Sequence, residues 1–498
     1  MEKVKIFDTT LRDGEQTPRV SLNLNDKVII AKQLEKLGVD IIEAGFPISS
    51  DGDFEGVKAV SEAVENVTVC ALARCNKKDI DRAAEALVNA KHPRIHVFIA
   101  TSDIHLEYKL KMTKEECVNK AVEMVTYART LVDDIQFSAE DASRSRPEFL
   151  KEIIEKVIEA GATTINIPDT VGYSQSEEYY DLISYLMKNV KGIEKVTVSV
   201  HCHDDLGLAT SNSIAGIRAG ARQSECTING LGERAGNASL EEIAMILDTR
   251  SDFYNVTTNI KTEEIYKTSK LISAITGVNI AKTKSIVGEN CFLHEAGIHQ
   301  DGVLKKRETY EIMNPDKIGI PKSDGMVLGK HSGKHAFVNF LSHHGFELSE
   351  EEILENFTKF KELTDHKKYI TVDDIISLVG KQPYNENYKF HSYTSSNNDD
   401  GTATVYLNIL HGDELITKRA IGNGQVDAAF NALNSIVKED IKVVNFEINA
   451  VSSLSDALGE AKLVLKLHDN EIVTSGLDLD VIKASIQAYV QGINKFGI

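Results

Sequence analysis

An α/β fold closed as a (β/α)8 TIM barrel, followed by a mainly helical linker region and a small α+β C-terminal domain, is what this sequence predicts. Three observations carry that reading. Eight apolar, β-branched runs alternate with helix-period segments over about the first 250 of 498 residues. The alternation stops near residue 255, and strand-like alternation resumes only after about residue 385. Strand-then-helix repetition with short connections means a parallel sheet, and eight such units at this length have the size of a barrel. A doubly wound open sheet is the alternative. It is weakened because no G-x-G-x-x-G follows the first run.

The runs come in order as VKIFD (4–8), VDIIEA (39–44), VTVCAL (67–72), RIHVFIA (94–100), VDDIQF (132–137), TTINI (163–167), VTVSV (196–200) and ARQSECTI (221–228). Between them KVIIAKQLEKLG (27–38), KDIDRAAEALVNA (78–90), EECVNKAVEMVTYARTLV (115–132) and EFLKEIIEKVIEAG (148–161) place apolar residues at i, i+3, i+4 and i+7, the helical period. SLEEIAMIL (239–247) reads as the last barrel helix, with Ser239 and Glu242 spaced as a capping box. Residues 256–384 read as mainly helical around an irregular stretch at 283–337, rich in Gly, Pro, His and Lys. A loop of that length is usually functional or mobile. HSYTSSNNDDGT (391–402) reads as a linker or a hairpin connection. Beyond it come strands TATVYLNIL, IKVVNFEINAV and EAKLVLKL, a helix near VDAAFNALNSIV and a final helix near LDLDVIKASIQAYVQGINKF. The expected domains are therefore 1–255, 256–384 and 385–498, with no short-period internal repeat.

A net charge of −19 argues against a general nucleic-acid or anionic-membrane surface, and leaves room for a local basic pocket. No run approaches eighteen apolar residues, so no transmembrane helix is expected, and MEKVKIFDTT lacks a secretory h-region. Cys70, Cys75, Cys117, Cys202, Cys226 and Cys291 form no C-x-x-C pair, and reduced thiols in a cytoplasmic protein are the expectation.

Chemistry in such a barrel collects at the C-terminal ends of the strands. HCHDD (201–205) follows the seventh run, and residues two apart on a strand share a face, so His201 and His203 point together. Two imidazoles there can hold a divalent metal, or they can be hydrogen-bonded residues of a loop entry. Other strand ends carry further polar groups. Arg12 and Asp13 lie in TTLRDGEQ (9–16), Glu140 and Asp141 in FSAEDASR (137–144), Thr170 in IPDTVGY (167–173), and Asn237 in NGLGERAGN (229–237). Arg12 and Asp13 read alternatively as a surface ion pair. Taken together, the five ends imply a divalent cation in mixed nitrogen and oxygen coordination with a guanidinium beside it. Such a site suits a 2-oxo acid, whose carboxylate and keto oxygen chelate the metal together. Arg12 would stabilise the alkoxide formed when a carbon nucleophile adds.

FDTTLRDGEQ, GFPISSDGDFEGV, HVFIATSDIHLEYKLKMT, FSAEDASRS, TTINIPDTVGY, SVHCHDDLGLA and CTINGLGERAGNASLEE strongly resemble the 2-isopropylmalate synthase family of the DRE-TIM metallolyase superfamily. GIHQDGVLKKRETYEIMNP and LGKHSGKHAF continue the match, which covers about residues 3–345. The resemblance implies condensation of acetyl-CoA with 3-methyl-2-oxobutanoate and hydrolysis of the thioester, the committed step of leucine biosynthesis. It implies that Asp13, His201, His203 and Asn237 ligate a divalent metal, Mn²⁺ or Zn²⁺ and less readily Mg²⁺, with K⁺ as a monovalent activator. It assigns the keto oxygen to Arg12, the substrate carboxylate to Thr170, and pocket positions to His96 and Ser138. Glu140 would work with His299 from the post-barrel region, which also carries Tyr310. That region reaches the partner subunit's site in the family, implying a homodimer. The C-terminal domain resembles the family's leucine-sensing domain less closely. Asn423 and Gln425 stand where Asp and Pro are usual in AIGNGQVDAAFNAL, and SSLSDALGEA (452–461) and SGLDLDVIKAS (475–485) also depart from the pattern. Weakened inhibition by leucine is the expectation. Citramalate synthase, with pyruvate as acceptor, is the nearest rival. A carbon–carbon lyase of the superfamily and a non-catalytic amino-acid sensor are more distant ones.

Overall fold

The computed structural model describes residues 1–320, 328–330, 332–343, 346, 348–366, 372–379, 386–450, 459–468 and 470–498. The eight runs become strands β1 (Lys5–Asp8), β2 (Ile41–Gly45), β3 (Thr68–Arg74), β4 (Pro93–Ala100), β5 (Asp134–Glu140), β6 (Thr164–Asp169), β7 (Thr197–Cys202) and β8 (Gln223–Cys226). Each pairs in parallel with its neighbour, and β8 returns to β1 with Gln223 opposite Lys5, closing the barrel. That closing pair removes the open-sheet alternative. Helices α1 (Leu24–Leu37), α2 (Asp51–Ala63), α3 (Lys77–Ala86), α4 (Lys114–Arg129), α5 (Pro147–Glu159), α6 (Ser176–Asn189), α7 (Ala209–Arg218) and α8 (Leu240–Thr249) follow the strands.

The pleat explains what the barrel holds inside. In β4, Ile95, Val97 and Ile99 join the apolar cluster formed with the helices. Arg94 and His96 alternate with them and therefore face the barrel axis. There Arg94 donates to Gln136 of β5 (3.2 Å) and Gln223 of β8 (3.0 Å), and pairs with Asp134. Phe7, Ile41 and Cys70, on neighbouring strands of the barrel, form a small apolar cluster of their own. The interior is thus largely polar, and its buried groups are hydrogen-bonded to one another.

Asn23 caps α1 in a reciprocal capping box with Asp26, and Gly38 ends it at φ +93°. A Cβ at Gly38 would lie 2.4 Å from the Asn259 carbonyl, so two physical reasons require glycine there. The box expected at Ser239 and Glu242 does not form. Ser239 occupies the N-cap without a side-chain cap bond. Instead Lys284 Nζ donates to Ser239 Oγ (2.6 Å) and pairs with Glu242, so one ammonium satisfies both side chains.

Asp8, at the end of β1, is fully buried and accepts from Thr10 N and Thr10 Oγ1, both at 2.9 Å. Burial pushes its carboxyl up to about 7, against the lowering effect of those hydrogen bonds. A folded value above the ordinary 3.8 means that the native state holds the proton through the interval up to about 7, so stability falls as pH rises across it. Asp8→Asn is expected to flatten that slope and gain roughly 2–3 kcal/mol on wild type between pH 5 and pH 8. Denaturant titrations at pH 5 and pH 8 check this; parallel slopes for the two proteins would refute it.

After α8, Val256–Thr257 pairs in parallel with Glu2–Lys3, returning the chain to its start. Helix α9 (Ile265–Thr276) packs beside α1, where Gln33 donates to Thr268 (2.9 Å). The stretch expected to be irregular holds α10 (Gly297–Lys305) and single 3₁₀ turns at Arg307–Thr309 and Pro315–Ile318. Helices α11 (Lys334–His343), α12 (Glu350–His366) and α13 (Val372–Val379) gather around Phe337, Phe340, Phe360 and Ile375. Two compact units result, Met1–His294 with Gly302–Met326, and Glu295–Asp301 with Val327–Ile498.

The C-terminal domain contains two similar halves. Strands β9 (Tyr388–Asn397), β10 (Ala403–His411) and β11 (Glu414–Gly422) form one antiparallel sheet, followed by α14 (Gln425–Val437). Strands β12 (Lys442–Ala450), β13 (Gly459–Leu467) and β14 (Asn470–Asp478) form the other, followed by α15 (Val481–Lys495). Val405, Leu407, Leu433, Leu463, Leu465 and Tyr489 share one core. HSYTSSNNDDGT is the end of β9 and a hairpin turn closed by Asn398 N to Thr402 O (2.8 Å), not a linker. The expected final helix begins later than LDLD, because Leu477 and Asp478 end β14 and Asp480 caps α15. β11 and β14 escaped the sequence reading because their polar positions hide the alternation, and with them the repeat of three strands and a helix. Of SSLSDALGEA, residues 452–458 lie outside the described residues, as does the expected boundary at 384. Among the described residues no helix is long and apolar enough to cross a membrane.

Candidate metal centre and substrate cavity

Loop conformation brings the cation candidates together at the C-terminal mouth of the barrel. Asp13 leads a 3₁₀ turn just beyond β1, and its amide donates to Thr9 Oγ1 (3.2 Å). Its Oδ2 lies 3.3 Å from His201 Nε2 and 3.5 Å from His203 Nε2. Asn237 is drawn alongside by a backbone bridge to His203. Its Nδ2 donates to the Leu231 carbonyl (3.0 Å), while its buried Oδ1 has no hydrogen-bond partner. Gly232 permits this, since a Cβ there would meet Asn237 Nδ2 at 2.3 Å. One carboxylate, two imidazoles and an orphaned amide oxygen are a donor set that fits a divalent cation.

The electrostatics agree. Burial opposes the Asp13 charge, but Arg12 and hydrogen bonds from both histidines hold its carboxyl well below the usual range. Burial likewise opposes charge on His201, yet Asp13 and Glu225 push it up to about 9. Glu225 Oε2 meets His201 Nδ1 at 2.9 Å, which directs Nε2 toward Asp13. His203 differs. Its Nδ1 lies 2.9 Å from Arg234 Nη2, which can only donate, so the ring carries its proton on Nε2. A cation at that nitrogen requires the Arg234 contact to open.

Beside this centre is a cavity of about 280 Å³. Arg12, Asp13, His96, Ser138, Glu140, Thr170, His201 and His203 all line it, with Leu72 and Phe98 as apolar wall. Arg12 Nε donates to Glu43 Oε2 (2.6 Å), and Arg12 Nη1 lies 3.4 Å from Asp13 Oδ2. Thr170 Oγ1 accepts from the Asp141 amide (2.9 Å). His96 lies between Glu43 (2.6 Å) and Ser138 (2.6 Å). Glu140 pairs with Lys109 (2.5 Å), which a π-helix at His105–Leu110 carries to the mouth. Tyr310 follows the 3₁₀ turn Arg307–Thr309, its ring 6.4 Å from His294, and it does not line the cavity. His299 lies on α10 in the second compact unit.

Sequence reasoning missed Glu43, Glu225, Gln136, Lys109 and Arg234. Glu43 and Glu225 carried a usable signal, an acid inside an otherwise buried strand run. Glu43 is ionised throughout the ordinary range. Burial opposes this, but Arg12 and His96 bring it down to about 2.

Three family models match successive parts of the chain. A model described as HMGL-like matches residues 3–272, one described as homocitrate synthase post-HMGL domain-like matches 286–368, and one described as LeuA allosteric (dimerisation) domain matches 369–497. Among curated relatives, 2-isopropylmalate synthase of Pelotomaculum thermopropionicum is 53% identical over 99% of this chain and 98% of its own. The enzyme of that name from Carboxydothermus hydrogenoformans is 52% identical over 99% and 98%. That from Pyrococcus furiosus is 52% identical over 99% and 99%.

Proposed function

The chain belongs to the 2-isopropylmalate synthase family, and from that membership we propose what its individual residues do. It is a transferase of leucine biosynthesis that condenses acetyl-CoA with 3-methyl-2-oxobutanoate and hydrolyses the resulting thioester. Residues 1–255 carry the chemistry, 256–384 complete the site, and 385–498 regulate it.

Asp13, His201, His203 and Asn237 hold a divalent cation, Mn²⁺ or Zn²⁺ and less readily Mg²⁺, which when bound acts as a Lewis acid on the keto group. Arg12, braced by Glu43, donates to the keto oxygen as negative charge develops on it. Thr170 accepts from the Asp141 amide, which leaves its hydroxyl proton for the substrate carboxylate. His96 and Ser138 form the pocket floor. Glu140, with His299 and Tyr310 supplied by the partner subunit of a homodimer, removes the acetyl methyl proton. The matched dimerisation domain supports the dimer. K⁺ acts as an activator, and the site of action is the cytoplasm.

The observation that carries this reading is the buried cluster of Asp13, His201 and His203 opening onto a cavity that also holds Arg12 and Thr170. Thiol release from acetyl-CoA, measured across several 2-oxo acids with and without chelator, tests it. Release that is fastest with 3-methyl-2-oxobutanoate and lost to chelator is expected. Faster release with pyruvate would reassign the chain as a citramalate synthase, and no release would leave a sensor.

Leucine is the proposed effector of the C-terminal domain, where a pocket of about 540 Å³ is lined by Asn423, Gln425, Phe430, Phe446 and Tyr489. Gln425 is committed to β9, donating to Asn397 Oδ1 (2.9 Å) and accepting from Ser395 (3.1 Å). Two amides at the pocket entrance thus replace the family's acid and proline, and inhibition is expected to weaken. Half-inhibition at low-micromolar leucine in an activity titration would refute this.

A further inference from the structure

We propose that Ser138 is an activated nucleophile, with His96 as its general base and Glu43 as the orienting carboxylate, and that this triad accepts acyl groups from small activated esters without a divalent cation. Ser138 Oγ lies 2.6 Å from His96 Nε2, and His96 Nδ1 lies 2.6 Å from Glu43 Oε1. Hydroxyl, imidazole and carboxylate in hydrogen-bond sequence are the arrangement that activates a serine. Both Ser138 and His96 line the cavity, so an acyl group can reach the hydroxyl.

The polarity of the surrounding bonds sets the tautomer that a base needs. Arg94 can only donate, and its Nη1 does so to Gln136 Oε1 (3.2 Å). Gln223 Nε2 donates to the same oxygen (2.9 Å). The Gln136 amide is therefore fixed with its nitrogen on the other side, where it donates to Glu225 Oε1 (2.6 Å). That nitrogen is 3.3 Å from His96 Nε2, so a donor faces Nε2. Glu43 accepts at Nδ1. Both ends of the ring specify a proton on Nδ1 and a lone pair on Nε2, and the Ser138 proton must point at that lone pair. Asn166 Nδ2 donates to Ser138 Oγ (2.8 Å) and orients it, leaving one oxygen lone pair for attack.

In the step, Ser138 Oγ bonds to the ester carbonyl carbon and its proton passes to His96 Nε2. The bond from carbonyl carbon to leaving oxygen or sulfur breaks, and the leaving group takes the proton from His96. Water then attacks the acyl-serine by the same relay and releases the acid. Of the cations that line the cavity, Arg12, Lys109 and Arg234, it is Arg12, held on the other oxygen of Glu43, that meets the developing oxyanion.

The test uses the full chain stripped with EDTA and supplied with p-nitrophenyl acetate, which reports p-nitrophenolate directly. Expected are chelator-resistant release, one acetyl group mapped by mass to the peptide bearing Ser138, and a loss of about 100-fold in Ser138→Ala and in His96→Asn. Release by Ser138→Ala at the wild-type rate, acetyl only on other residues, or no release above buffer would overturn the proposal. The adduct on wild type decides the matter even if a variant fails to fold. Chelator is present throughout, so failure here leaves the cation site standing, and failure of the cation site leaves this triad standing.

Discussion

Asp13→Asn is expected to abolish stoichiometric binding of Mn²⁺ or Zn²⁺ and to lower kcat by about 10³-fold or more. Asp13 supplies the only carboxylate in the cluster with His201 and His203, so among these ligands it alone offsets the charge of a cation that two neutral imidazoles would share. An asparagine has nearly the same shape, and Arg12 keeps Glu43 as its partner, so the barrel should stay folded. Isothermal titration of the chelator-treated protein with Mn²⁺ separates the two effects. Unchanged cation affinity in the variant would remove Asp13 from the ligand set, and with it the centre as described.

Glu43→Leu is expected to destabilise the chain by about 3–5 kcal/mol, the range for breaking a buried ion pair by removing one partner. One carboxylate serves Arg12, His96 and Thr9, each at 2.6 or 2.7 Å, and its loss leaves the guanidinium, among the described residues, with only the longer contact to Asp13 (3.4 Å). Glu43→Gln keeps the shape and should lose less stability, while lowering kcat through a misplaced Arg12. The pH dependence has a definite sign. The folded value of about 2 lies below the ordinary 4.5, so the Glu43 contribution is complete above 4.5 and is lost as pH falls toward 2. Acid unfolding of Glu43→Gln should therefore lack that part of the wild-type slope. A variant with the wild-type melting temperature and the wild-type acid slope would show that Glu43 bears no such load.

The site was legible in proportion to how far each role lies at a strand end. Asp13, His201, His203, Thr170 and Glu140 stand where a run of β-branched residues gives way to a loop, and the barrel rule then places them at one mouth. Asn237 was legible as an oxygen donor after the eighth run, although nothing in NGLGERAGN by itself distinguishes a ligand from a turn residue. Gln136 and Gln223 lay within strands and looked like ordinary polar interruptions. Their partner, Arg94, looked like a strand start. The C-terminal domain was read in half because β11 and β14 are exposed strands whose polar residues obscure the period.

By itself the sequence determined the eight strand-then-helix units and so a parallel sheet, because periods of 2 and 3.6 are local properties that each segment carries without its neighbours; closure of that sheet into a barrel rests on the pairing of β8 with β1. It also determined which side chains face the axis, since the pleat alternates faces residue by residue. Only the tertiary structure decided which of those side chains meet. Closure of β8 onto β1 brings residue 13 to residues 201 and 203, the register of β7 and β8 sets Glu225 opposite His201, and the barrel interior lets Glu43 of β2 reach His96 of β4 past the strand between them. Proton positions belong to the same level. His96 and His203 carry their protons on different nitrogens because of donors more than thirty residues away, and that information exists only once the chain has folded.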